Sequence, residues 1–182
     1  FSSSDLMFSD GEGNIVFGEG DDEFIRINVQ TGAASGEFYS DEDNGIMFDN
    51  GNGLGFEDLQ SVETVGGVHY ALSHDGDGYN VGSGTPLFSF ELGSAYPETN
   101  YYAPFTATLI RMLPAESPEG NDWDWTALAV DAEQQVAYAI CDENGLDSGS
   151  NEKELWSIDM SSSPVVEASN CPECDVDAFV EY

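Results

Sequence analysis

The run with the most definite chemistry in this 182-residue chain is Asp75-Gly-Asp77-Gly-Tyr79-Asn80, in which oxygen-bearing side chains alternate with glycines. A hard cation such as Ca²⁺ needs that arrangement, because carboxylate and amide oxygens must converge from a short, sharply folded backbone. The run resembles the first half of an EF-hand loop. Pro86 stands where the bidentate Glu of the twelfth position belongs, so a complete EF-hand is excluded. Asp41-Glu-Asp43-Asn-Gly45, joined by Asp49, and Asp10-Gly-Glu12-Gly-Asn14 offer similar ligands. Ca²⁺ at these loops competes with a plainer reading, since Asp, Asn and Gly are also the ordinary residues of turns. At Asp10 the turn reading is the stronger one, because the equivalent place later in the chain holds Ala132-Glu-Gln-Gln, which has no ligand pattern.

Cys141, Cys171 and Cys174 are the three cysteines, the last two in a single C-x-x-C. A disulfide from Cys141 to either partner would staple the last third of the chain; a redox or metal C-x-x-C and simple thiols are the alternatives. The redox reading lacks its βαβ setting. His69 and His74 are the only imidazoles: His69 falls in a strand and reads as a face residue of a sheet, while His74 adjoins Asp75, whose charge favours the protonated ring. Tyr101, Tyr102 and Trp123 are candidates for stacking on a sugar ring, whereas Trp156 reads as core. Asp21-Asp22-Glu23 and Asp122-Trp-Asp124 read as solvated clusters. The chain has no G-x-S-x-G elbow, P-loop, dinucleotide fingerprint, H-E-x-x-H or N-x-S/T sequon.

The setting for these residues is strongly anionic. Three Lys and Arg against 36 Asp and Glu give a net charge of −33, yet 12% of the residues are aromatic, which a disordered acidic chain would not carry. A folded core under a negative coat follows. Nucleic acid is excluded as a partner and an anionic membrane surface is disfavoured, because both need a positive footprint. No apolar run is long enough to span a bilayer as a helix. Phe1 in place of Met, without a basic start or apolar signal core, reads as a processed product or an internal slice. A salty or calcium-bearing exterior, extracellular or at the cell surface, suits such a coat.

The elements that must position these residues emerge when the chain is slid along itself. Asp10-Gly-Glu-Gly-Asn-Ile15-Val-Phe17-Gly18, Glu63-Thr-Val-Gly-Gly-Val68-His-Tyr70-Ala71 and Asp131-Ala-Glu-Gln-Gln-Val136-Ala-Tyr138-Ala139 share one frame: acid, turn, β-branched, any residue, aromatic, small. Each is preceded by an apolar strand (Leu6 to Phe8, Leu59 to Val62, Ala127 to Val130) and followed by an alternating one (Phe24 to Val29, Leu87 to Leu92, Leu155 to Met160). Fourth strands are expected at Gly36 to Tyr39, Thr106 to Met112 and Pro164 to Glu167. The reading is all-β, in antiparallel four-stranded blade-like repeats over approximately 4–55, 56–113 and 122–170, within a single domain. Residues 171–182 would begin a further unit or close the last one. A β-sandwich is the alternative, and very little helix is expected in either case.

From Thr126 to Met160, the order of apolar strand, Asp, turn, Val-x-Tyr-Ala and Leu-Trp-x-Ile-Asp resembles the blades of secreted β-propellers of the quinoprotein or six- to seven-bladed hydrolase-like type. The resemblance is one of architecture, and it carries over no cofactor-contacting or catalytic residue. Three units are too few to close a ring, which leaves sheet edges that invite pairing. The expected function is a non-enzymatic structural or adhesive module, self-associating or binding other extracellular proteins and stabilised by Ca²⁺. The rivals are a fragment of a propeller enzyme (glycosidase, lyase or lactonase) and a propeller that binds carbohydrate or a cationic ligand.

Overall fold

β-Branched and aromatic side chains alternate with small or polar ones through most of the chain, and in the computed structural model these runs are strands. The structure describes residues 6–19, 23–39, 46–48, 53–54, 59–73, 84–92, 105–114, 122–144, 152–161 and 179–181, and none of them is helical. The first sheet is a meander of β1 (Met7–Ser9), β2 (Asn14–Glu19), β3 (Glu23–Asn28) and β4 (Ala34–Tyr39). Two short strands follow, β5 (Ile46–Phe48) and β6 (Gly53–Leu54). The middle sheet is a second meander, β7 (Leu59–Val65), β8 (Val68–Ser73), β9 (Gly84–Phe90) and β10 (Phe105–Pro114); β5 joins it parallel to β10, with β6 outside β5. The third sheet is β11 (Asp122–Asp131), β12 (Val136–Asn144), β13 (Glu152–Asp159) and β14 (Phe179–Glu181). The protein is thus all-β, with blade-like repeats.

Two details add to the sequence reading. β5 and β6 are additional to the strands expected from the sequence. The strands β11, β12 and β13 run several residues further than the apolar pattern indicates, because ladder pairing continues through Asp122, Asp142 and Glu152. The edge strand of the third sheet is β14, which pairs with β13 and falls within 171–182, where a closing strand is one of the two expectations; Pro164 to Glu167 lie outside the described residues.

Neighbouring residues on a strand point to opposite faces, so the middle sheet sends Ala71, Phe88, Phe90 and Ala107 one way and Leu72, Leu87 and Leu113 the other. The first set packs with Phe8 and Val16 of the first sheet, the second with Trp125, Leu128, Ala137, Ala139 and Ile158 of the third. Burial of both faces explains why β9 is apolar almost throughout. Each large side chain fully withdrawn there, such as Phe88 or Leu72, contributes about 1.5–3 kcal/mol. A bulge between Leu109 and Arg111 in β10 inserts one residue, which resets the alternation so that Met112 faces the first core and Leu113 the second.

The shared hairpins close in two different ways. Asp10 Oδ1 accepts the amides of Glu12 (2.8 Å) and Asn14 (3.0 Å), and Asp131 Oδ1 accepts those of Glu133 (3.1 Å) and Gln134 (3.0 Å). The acid of the repeat is therefore a turn cap at both places. Between β7 and β8 the turn contracts to Gly66 and Gly67, with φ of 62° and 86°, as a two-residue hairpin of the primed type requires. Thr64 and Val65 belong to the strand there, and Glu63 faces Tyr70 in the ladder instead of capping.

Candidate functional site

The first and middle sheets touch at their turns. A Cβ on Gly11 would stand 3.2 Å from Gly67 Cα, and Gly11, with φ of 77°, belongs to the positive-φ region that glycine tolerates. Thr64 Oγ1 at the end of β7 lies 2.6 Å from the carbonyl oxygen of Ser9 and 2.9 Å from His69 Nδ1. Behind these contacts lies a cavity of about 230 Å³ lined by Asp10, Glu12 and Arg26 of the first sheet and Gly67, His69, Glu91 and Leu92 of the middle one.

Asp10 is the anchor of this cavity. Besides its two turn amides it accepts Asn14 Nδ2 at 2.7 Å and Arg26 Nε at 2.6 Å, and it forms an ion pair with Arg26 Nη2. Arg26 also reaches Glu12 Oε2 at 3.1 Å, and Asn28 Nδ2 donates to Asn14 Oδ1 at 3.1 Å. Burial alone would raise the Asp10 carboxyl; the hydrogen bonds from the Asn14 side chain, from the Asn14 and Glu12 amides and from Arg26 outweigh it and hold the group below the ordinary carboxylate range.

His69 is 1% exposed, its ring in a cluster with those of Phe8 (centroids 5.4 Å, edge to face) and Phe90 (5.1 Å), which also meet each other. Burial pushes the imidazole down to about 4, against the opposing pull of the Asp10 charge. The ring is neutral at physiological pH. The cavity therefore combines a buried neutral imidazole, an Asp–Arg–Glu cluster, the Glu91 carboxylate and one apolar wall, Leu92.

The residues singled out for chemistry in the sequence fall elsewhere. Asp41, Asp43, Asp49, Asp75, Asp77 and Asn80 lie outside the described residues, as do His74, Tyr101, Tyr102, Cys171 and Cys174. Among the described residues no cluster of three His, Cys, Asp or Glu side chains is placed to hold a metal ion. Trp123 is paired with Glu143 in the β11–β12 ladder. Cys141 is buried in the second core beside Trp125. Trp125 and Trp156 meet edge to face at 6.1 Å, and Trp125 Nε1 donates to the Pro114 carbonyl at 2.8 Å, so both are structural. His69 is on a sheet face, as its strand position indicates. Its partners Asp10, Arg26 and Glu91 are distant in sequence; the available signal was that Arg26 shares the inward parity of Val16 on the paired strand.

No protein-family model matches the chain. No curated protein matches it either. Among solved structures it is similar to the computationally designed Ika8 protein, at 9% identity and a TM-score of 0.37; the match covers 88% of this chain and 48% of that one. The chain thus spans about half the length of Ika8.

Proposed function

We propose that the protein is a non-enzymatic β-repeat module of the cell exterior, structural or adhesive, whose sheet stacking continues from one copy to the next. The observation that supports this is the contrast between the middle sheet, covered on both faces, and its neighbours, each of which has an apolar outer face. On the first sheet Met7, Phe17 and Ile25 lie side by side in register, with Ile15 and Ile27 beside them; Met7 is 63% exposed. On the third, Ala127, Ile140 and Leu155 align, with Ala129 and Tyr138 alongside, and Leu155 is 45% exposed. A contiguous apolar sheet face is a surface for association.

The charge of −33 opposes such contact, so the module assembles where salt or divalent cations such as Ca²⁺ offset the repulsion. Sedimentation at low salt, high salt and high salt with Ca²⁺ tests the reading. Oligomers that form on screening, dissociate on dilution of salt and disappear in Leu155→Asp and Phe17→Asp variants are expected. A chain that is monomeric under all three conditions would overturn it.

A further inference from the structure

One side chain that lines the cavity between the first and middle sheets carries a strong hydrogen-bonding atom that no described residue uses. Asp10 is occupied by two amides, Asn14 and Arg26, and Arg26 by Asp10 and Glu12. His69 is different. Thr64 has a single hydroxyl proton, and the Ser9 carbonyl oxygen at 2.6 Å can only accept, so that proton points to Ser9. At the 2.9 Å contact with His69, Thr64 Oγ1 must then be the acceptor and Nδ1 the donor. A neutral ring with its proton on Nδ1 leaves Nε2 as a bare lone pair, and no described residue donates to it. This acceptor belongs to a side chain 1% exposed that lines a cavity whose charged groups are Asp10, Glu12, Glu91 and Arg26.

We propose that this cavity binds a primary alkylammonium group, which donates to His69 Nε2 and is neutralised by the Glu91 and Glu12 carboxylates. Three carboxylates against one guanidinium repel anions and attract a cation. An ammonium group brings several N–H donors that reach separate acceptors, and its alkyl stem suits the Leu92 wall. The proposal is independent of stacking between copies, because the cavity lies between two sheets of one chain.

Long-range ¹H–¹⁵N NMR on the full chain carrying His74→Gln, which leaves a single imidazole, tests it. At neutral pH the free protein is expected to show the proton on Nδ1. Butylammonium chloride should move the Nε2 resonance in the direction of an accepted hydrogen bond, saturably, whereas tetramethylammonium chloride at the same concentration, equal in charge but without N–H, should not. Glu91→Gln should weaken the butylammonium response about tenfold, the usual scale for losing one charge-assisted hydrogen bond. A parallel titration with Nα-acetyl-lysine N-methylamide separates sources: a matching response identifies lysine side chains of a partner as occupants, and butylammonium alone confines the site to free amines. The proton found on Nε2, equal responses to both ammonium salts, no response at all, or a Zn²⁺ response at far lower concentration than the amine would each overturn the proposal.

Discussion

His69 and Asp10 concentrate the consequences that belong to single residues. The folded imidazole takes its proton only near pH 4, whereas in the unfolded chain it does so near 6.5, so between these values the unfolded state binds more protons. The contribution of His69 to stability is therefore complete above about pH 6.5 and is lost as pH falls toward 4. Solvent that enters the cavity reduces the full effect, leaving a loss of roughly 2 kcal/mol. Urea midpoints measured from pH 7 to 4 for the wild type and His69→Gln should diverge in slope across that window; parallel curves would refute the assignment. Asp10 and Asp131 cap equivalent turns, but only Asp10 also pairs with the mostly buried Arg26. Asp131→Ala is expected to cost about 1 kcal/mol, the scale of turn hydrogen bonds, and Asp10→Ala about 3 kcal/mol, because it also removes the more buried of the two carboxylates that pair with Arg26 and the acceptor of Asn14. Chemical denaturation of the two variants side by side measures the difference.

Elements depend on places where backbone geometry leaves no freedom. Gly84 opens β9 opposite Pro114, and a Cβ there would come within 2.8 Å of the Leu113 carbonyl oxygen and 3.2 Å of Met112 Cε. Since the carbonyl belongs to a paired strand, Gly84→Ala should destabilise the protein by about 1–3 kcal/mol through forced movement of β10. Gln135 is the reverse case. It is the described non-glycine residue with positive φ, 56°, at the end of the β11–β12 turn, where its carbonyl accepts the Met160 amide at 2.8 Å. Gln135→Gly relieves the left-handed conformation without removing that bond, and a gain of about 0.5–1 kcal/mol in thermal or urea unfolding is expected.

At the scale of the whole molecule, one sheet is protected by two others whose outer faces are apolar. If those faces meet between copies, association must strengthen with ionic strength, the opposite of what attractive charge pairing would give, because screening here weakens repulsion. Light scattering across a salt series at fixed protein concentration reads the sign directly. Leu155→Asp should abolish association and leave the melting temperature of the isolated chain nearly unchanged, since Leu155 is 45% exposed and outside both cores.

The amino-acid order determined the strands and their grouping, because period-two alternation and the turn residues between runs are local: Val16, His69 and Ala137, matched by the repeat frame, are all buried in the second strand of their sheets. It determined the strongly negative net charge in the same direct way. The turn between β7 and β8 was legible only in outline, since Gly66 and Gly67 suffice for a two-residue hairpin and free Glu63 from the capping role of Asp10 and Asp131. Tertiary structure alone decided that β5 lies parallel beside β10, and, of the two roles open to 171–182, it gave β14 that of closing the third sheet. It alone set Asp10, Arg26, His69 and Glu91 around one cavity, because that meeting depends on how two sheets stack, and face-to-face packing of side chains leaves no periodic mark in a chain.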